Sequence, residues 1–124
     1  MNKRAIVVGN SDGIGLGVTE QLLKDGWIVN GFSRSRSPIK NSSYSHIVCD
    51  VTDNEYVIKL KKVVKKESPP DLCIYCPGIG ELLDLDDMDV DIKTLDINLM
   101  GMVRTVSVVI PAMEENGKGH FIGL

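Results

Sequence analysis

Gly9-Asn10-Ser11-Asp12-Gly13-Ile14-Gly15 follows the run Arg4-Ala5-Ile6-Val7-Val8 and leads into a patterned stretch from Gly13 to Lys24. The five residues before the turn are compact and partly β-branched, as a buried strand is. After it, Ile14, Val18 and Leu22 recur every four residues with Leu23 beside them. That spacing predicts a helix with this stripe against the core, ending at Asp25-Gly26. A strand, a glycine turn and a helix in this order bring unpaired backbone N–H groups and the positive end of a helix dipole to one spot, an anion cradle. Glycine suits the turn because a Cβ would obstruct both the tight bend and the approach of a pyrophosphate to the backbone. A nucleotide-hydrolysing phosphate loop instead needs Gly-x-x-x-x-Gly-Lys, and no lysine follows Gly13 or Gly15, so ATP or GTP hydrolysis is disfavoured.

Outward from this unit the pattern repeats. Residues 27–32 read as a second strand, and Ser33 to Pro38 as a loop. Residues 46–49 make a short third strand. Asp53 is placed to cap a helix that buries Tyr56, Val57, Leu60, Val63 and Val64. Ser68-Pro69-Pro70 closes that helix, and residues 71–76 form a fourth strand ending at Pro77-Gly78. An acidic loop precedes a long helical pattern over about 92–113, where Pro111 is expected to kink or end the helix. Residues 120–124 read as strand five. Strands alternating with helices imply an α/β fold: a Rossmann-type, doubly wound parallel sheet of about five strands in the order 3-2-1-4-5, with helices on both faces. Strands one and four then meet at the switch point, where both glycine-bearing turns lie and where ligands bind.

Composition agrees with one globular domain: 124 residues, 43% apolar and 25% charged. Such a chain is too short for a cofactor domain plus a separate substrate domain. Its net charge of -3 provides no general attraction to nucleic acid or an acidic membrane, so any anion site is local. Lys59, Lys61, Lys62, Lys65 and Lys66 surround an amphipathic stripe and read as a solvated face. The apolar run over residues 5–8 is far too short for a signal-peptide core, and no apolar segment approaches the roughly 18 residues of a bilayer span. A cytoplasmic setting is expected, with the three cysteines as reduced thiols.

Folds that bind dinucleotides place a residue beside the adenosine ribose about twenty positions after the glycines, and NAD sites usually carry Asp or Glu there. This chain has Ser33. A small hydroxyl removes the repulsion toward a ribose 2′-phosphate, and Arg34 and Arg36 offer it charge-assisted hydrogen bonds. NADP(H) is therefore expected in preference to NAD(H). Asp12 opposes this, lowering the local positive potential if it faces a phosphate, unless it caps the helix.

On these residues the chain resembles the short-chain dehydrogenase/reductase family over nearly its whole length. Gly9-x-x-x-Gly13-Ile14-Gly15 matches the family's cofactor turn, with Ser11 and Asp12 inside it, and Arg34 looks like the NADP-dependent members. Asp50-Val51 matches the pair flanking the adenine. Asn98 with Gly101, Pro111 with Met113, and Gly119 before strand five also sit where the family has them. Tyr75-Cys76-Pro77-Gly78 stands in place of Asn-Asn-Ala-Gly, so only backbone contacts by Cys76, Pro77 and Gly78 carry over. The family's catalytic Ser and its Tyr-x-x-x-Lys fall beyond Leu124. The four-residue spacings after Tyr44, Tyr56 and Tyr75 reach Val48, Leu60 and Ile79, so no tyrosine here substitutes. Hydride transfer to a carbonyl needs a proton donor for the alkoxide, and only Asn98 of the catalytic group is present. The resemblance implies a chain that binds nicotinamide dinucleotide and belongs to a longer oxidoreductase acting on a carbonyl or alcohol, inactive alone. The alternative is a non-catalytic sensor or interaction module. An open sheet edge and an uncovered helix over 92–113 lead to the expectation of a homodimer.

Three further constellations read as structural. His46-x-x-Cys49 and Cys73-x-x-Cys76 resemble zinc ligands, but residues three apart on a strand point to opposite faces, and strands three and four are separated by two others. The same geometry disfavours a redox Cys-x-x-Cys pair. Asp87-x-Asp89-x-Asp91 begins like a calcium loop, yet Ile92 and Asn98 occupy the positions that need Gly and Glu. Glu81, Asp84 and Asp86 extend this acidic loop, which the resemblance sets at the substrate mouth. His120 is expected to be structural.

Overall fold

A computed structural model describes residues 2–66, 68–77 and 85–124. The elements run β1 (Arg4–Val8), α1 (Gly13–Lys24), β2 (Ile28–Ser33), β3 (Tyr44–Val48), α2 (Glu55–Lys66), β4 (Leu72–Tyr75), α3 (Asp89–Leu95), α4 (Gly101–Asn116) and β5 (His120–Gly123). A π-helical turn, Asp96–Met100, joins α3 to α4. All strands are parallel, in the order β3-β2-β1-β4-β5. This is the doubly wound α/β sheet read from the sequence.

Alternation along β1 sorts the core onto two faces. Ile6 and Val8 join Phe32, Cys73 and Tyr75 beneath α2 and α4, which contribute Tyr56, Leu60, Val109 and Met113. Ala5, Val7 and Val29 face the other way, against Leu22 and Leu23 of α1 and against Trp27. The start of β1 is pinned to β4 by the Arg4 N–H, which donates to Asp71 Oδ2 at 2.9 Å. Lys118 adds an ion pair with Asp71 at 3.4 Å. That N–H, more than the lysine, holds the Asp71 carboxyl below its usual range.

Two expectations are corrected. Helix α1 does not bury Ile14, which is 69% exposed; Gly15 and Thr19 face the sheet instead. The cause is the contact at Gly15, where a Cβ would stand 2.2 Å from the Gly9 carbonyl oxygen. The helix rolls onto its barest position. Nor does Pro111 end the last helix, one of the two outcomes expected there: the helix continues to Asn116 and stops at Gly117 (φ 78°). Proline removes the N–H that would bond the Ser107 carbonyl, but both residues are exposed, so water can serve that carbonyl. Helix starts and strand ends otherwise fall close to expectation, except that β3 begins two residues early, at Tyr44.

Against the expectation that no apolar segment approaches a bilayer span, the helical run over 89–116 is long and apolar enough to cross a membrane by length and composition. Its inner face, from Ile97 through Thr105, Val108 and Val109 to Met113, is buried within the fold, and an Arg104–Asp96 ion pair at 2.9 Å lies along it. That face packs against the sheet, while 28% of the apolar stretch is buried.

Candidate functional site

The carboxyl ends of β1, β2, β3 and β4 surround one cavity of about 360 Å³. Gly9, Ser11 and Asp12 line it from the glycine turn; Ser33, Arg34 and Ser35 from the loop after β2. Cys49, Asp50 and Val51 follow β3, and Cys76 and Pro77 follow β4. Ile97 closes it from the π-helical turn. Four segments distant in sequence converge because each leaves the sheet at the same edge.

Close packing shapes the turn. Gly9 has φ 80°, and a Cβ there would meet the Pro77 nitrogen at 2.6 Å, so the first and fourth strand ends touch through bare backbone. The Gly9 N–H donates to the Phe32 carbonyl at 2.6 Å, tying the turn to β2. Gly15 then seats the first turn of α1 against Gly9, and the N–H groups of that turn have no intrahelical acceptor. Asp12 takes the position before the helix, with φ -155°, but its carboxylate makes no capping bond. It lines the cavity instead. A carboxylate beside orphan N–H groups and a positive dipole end is the feature least suited to an anion site.

Among the lining side chains Arg34 supplies positive charge, while Asp12 and Asp50 supply negative charge. Burial pushes the Asp50 carboxyl up, but the Thr52 N–H at 2.9 Å and hydroxyl at 2.8 Å, both on Oδ1, outweigh it together with the charges of Arg34 and Lys93. The carboxyl is held below its usual range. An anion in this cavity would therefore rely on the turn's backbone and on Arg34.

Of the residues singled out from the sequence, Gly9, Ser11, Asp12, Ser33, Arg34, Asp50, Val51, Cys76 and Pro77 meet here. Gly13, Ile14 and Gly15 shape the helix start without lining the cavity. Arg36 is not among the lining residues, and Gly78 lies outside the described residues, as do Glu81 and Asp84. Asn98 is exposed in the π-helical turn; its neighbour Ile97 reaches the cavity. Cys73 and Cys76 pack on opposite faces of the sheet. Two strands separate β3 from β4, so the four residues of the zinc pattern are not brought together. His120 is exposed at the start of β5.

The sequence reading missed a polar chain beside the cavity, buried at Asn10 and half-buried at Tyr44 and His46. Asn10 is fully buried, and its Nδ2 donates to Thr19 Oγ1 at 3.2 Å and Tyr44 Oη at 2.8 Å. Tyr44 Oη lies 2.6 Å from His46 Nδ1. His46 Nε2 lies 2.9 Å from the Ser35 carbonyl and 3.0 Å from Ser33 Oγ, and that hydroxyl donates to Ser35 O at 2.5 Å. The available signal was Tyr44-x-His46, two polar residues at the spacing that shares one face of a strand.

A family model described as short chain dehydrogenase matches residues 3–123. The rat protein "Dehydrogenase/reductase SDR family member 4" is 30% identical over 98% of this chain and 48% of its own length. Ligand-free aldohexose dehydrogenase from Thermoplasma acidophilum superposes with a TM-score of 0.86 at 25% identity, over 98% of this chain and 48% of that one. A Leptospira borgpetersenii short chain dehydrogenase solved with bound NAD+ shares the fold, with a TM-score of 0.87 at 19% identity over 99% and 51% of the two chains. The chain spans about half the length of several curated relatives it matches.

Proposed function

Because the chain belongs to the short-chain dehydrogenase family, whose model covers residues 3–123, we propose that it forms the coenzyme-binding part of an oxidoreductase. The coenzyme is NADP(H) in preference to NAD(H), and the whole protein moves hydride between it and a carbonyl or alcohol. The observation that carries this reading is the convergence of Ser11 and Asp12, Ser33 and Arg34, Asp50 and Val51, and Cys76 and Pro77 on one cavity. These are the segments that the sequence had marked separately.

The cavity suits a dinucleotide in its parts. The turn over residues 9–15 presents backbone N–H groups for the pyrophosphate, and Gly15 permits the helix start to sit against the strand end. Ser33 places no carboxylate beside the adenosine ribose, and Arg34 stands at the mouth for a 2′-phosphate. Asp50 and Val51 border the adenine. When bound, the coenzyme supplies the hydride; these residues hold and orient it. Asn98, exposed in the π-helical turn, is the family's catalytic position present in this chain.

The same reading takes the protein as a cytoplasmic homodimer. Ile92, Leu95, Leu99 and Val103 leave an exposed apolar stripe along the last helical run, a surface that invites pairing with a second copy. A monodisperse monomer in sedimentation at micromolar concentration contradicts the dimer. For the coenzyme, amide resonances of residues 9–15 and 33–34 are expected to shift when NADPH is added to the 15N-labelled chain. Shifts confined to other segments, or none, overturn the assignment.

A further inference from the structure

The chain of hydrogen bonds from buried Asn10 to exposed Ser35 runs in one direction. The Ser35 carbonyl can only accept, so the nitrogen 2.9 Å away, His46 Nε2, carries a proton. In a neutral imidazole Nδ1 is then bare, and the Tyr44 hydroxyl at 2.6 Å donates to it. Having spent its proton there, Tyr44 Oη accepts from Asn10 Nδ2 at 2.8 Å. Asn10 also donates to Thr19 Oγ1, whose own proton goes to the Gly15 carbonyl at 2.7 Å. The two ends of this chain are the glycine turn and the loop that carries Ser33 and Arg34, the two halves of the cavity.

We infer that neutral His46 is a positioning residue that locks the phosphate turn and the ribose loop into register through Tyr44 and Asn10, and that its protonation weakens coenzyme binding. This rests on the cavity being a coenzyme site. Protonation puts a second N–H on the imidazole, aimed at a hydroxyl that already accepts from Asn10. The Tyr44 proton must then turn to Ser37, whose side chain also bonds the phenol, or to an Asn10 amide turned over so that its oxygen also faces Thr19 Oγ1, whose proton is committed to Gly15. Either way the bond between Tyr44 and His46 reverses its direction and the chain is rearranged at Tyr44. The Asn10 amide is the natural place for such a change, because its Oδ1 is buried with no hydrogen-bond partner among the described residues.

The surroundings favour the neutral form. Burial lowers the His46 pKa from its ordinary value, the Ser35 carbonyl opposes this, and the charge of Arg36 adds to it. The phenol of Tyr44, on the same strand, has its own pKa raised by burial against hydrogen bonds from Asn10 and Ser37, so it stays protonated throughout. The residues of β2 and the glycine turn that touch the pair, Ser33 and Asn10, are uncharged. Affinity is thus full above the ordinary histidine range and falls as pH drops through the lowered His46 value.

NADH is the probe, since it lacks the 2′-phosphate that titrates near the same pH. Its dissociation constant and the 15N spectrum of the imidazole are followed together from about pH 8 to about pH 5 on the whole chain. The expected spectrum shows the Nε2–H tautomer, and NADH affinity falls about two- to tenfold in step with His46 titration, the scale of one hydrogen bond weakened by the rearrangement. His46→Gln flattens the profile. Tyr44→Phe, which keeps the ring and cuts the link to the turn, shrinks it while His46 still titrates. An Nδ1–H tautomer, or variants whose profiles parallel the wild type, overturns the proposal. If the wild-type chain binds neither NADH nor NADPH at about pH 8 while the tautomer is as expected, the coenzyme reading fails and the chain of bonds is structural only.

Discussion

The Tyr75 hydroxyl, at the end of β4, donates to the Ile97 carbonyl at 2.5 Å inside the π-helical turn. It reaches that carbonyl because Gly101 has no side chain; a Cβ there would stand 2.0 Å from the phenol oxygen. A π turn displaces the regular helical bonding pattern, and here a tyrosine in the sheet serves the displaced acceptor. The contact sets where Ile97 enters the cavity. Burial, helped by the negative charges of Asp96 and Asp50 and opposed by Arg104, raises the Tyr75 pKa, so the phenol remains a donor at every physiological pH.

Tyr75→Phe leaves the Ile97 carbonyl buried without its donor and is expected to cost about 1–3 kcal/mol. Urea unfolding measures it. A change within about 0.5 kcal/mol, the range of ordinary surface substitutions, shows that the hydroxyl does not serve that carbonyl.

Two glycines two residues apart in α1 are expected to behave oppositely. Gly15→Ala forces a methyl to within 2.2 Å of the Gly9 carbonyl oxygen and 2.9 Å of Asn10 Cα, which separates the helix start from the strand end. It is expected to destabilise by about 1–3 kcal/mol, as overpacking does, and to abolish coenzyme binding. Gly17→Ala meets open space and is expected to stabilise by up to about 1 kcal/mol. Thermal unfolding of both variants, with NADPH titrations, tests the pair; equal effects refute the close approach.

The same residues mark where the sequence was readable. The boundaries of β1 and α1 follow from local periodicity, and the parallel sheet from the alternation of strands with helices, which are properties of neighbouring residues; the strand order was the one usual for such folds. The inward face of α1 is not local: it depends on a backbone contact between Gly15 and Gly9, and apolar periodicity pointed to Ile14 instead. The π-helical turn needs Tyr75, 22 residues away in sequence, to satisfy its carbonyl. The glycine turn and the Ser33–Arg34 loop were legible because glycine and charge patterns report on anion chemistry directly, whereas Asp50, Val51, Cys76 and Pro77 were marked through the family resemblance. Asn10, Tyr44 and His46 were not legible, since a buried polar side chain is explained only by partners the fold brings to it. The run through Pro111 turned on which face met water.

Asp12 opposes the anion that the turn is built to hold. Asp12→Asn removes that charge at the positive end of α1 and is expected to tighten NADPH binding by about 0.3–1 kcal/mol, more at low salt. Calorimetric titration at two ionic strengths checks this. Weaker binding by the variant shows that the carboxylate takes part in holding the ligand.

All three thiols have raised pKa values: burial pushes Cys73 up to about 12, and it also raises Cys49 and Cys76. Thiolate is the reactive form, so alkylation of the native chain near neutral pH is expected to be slow, with Cys73 modified only after unfolding. Mass-spectrometric mapping of alkylated sites reads this out. Rapid native labelling of Cys73 contradicts its burial between β1, β5 and the helices above them.

Calorimetric titration of the 124-residue chain with NADPH and NADH bears most directly on the central claim that the strand-end cavity holds a nicotinamide dinucleotide. The account predicts one site per chain, with NADPH bound more tightly than NADH and Arg34→Ala removing most of that difference. Tighter binding of NADH contradicts the roles assigned to Ser33 and Arg34, and absence of binding by both coenzymes contradicts the claim itself.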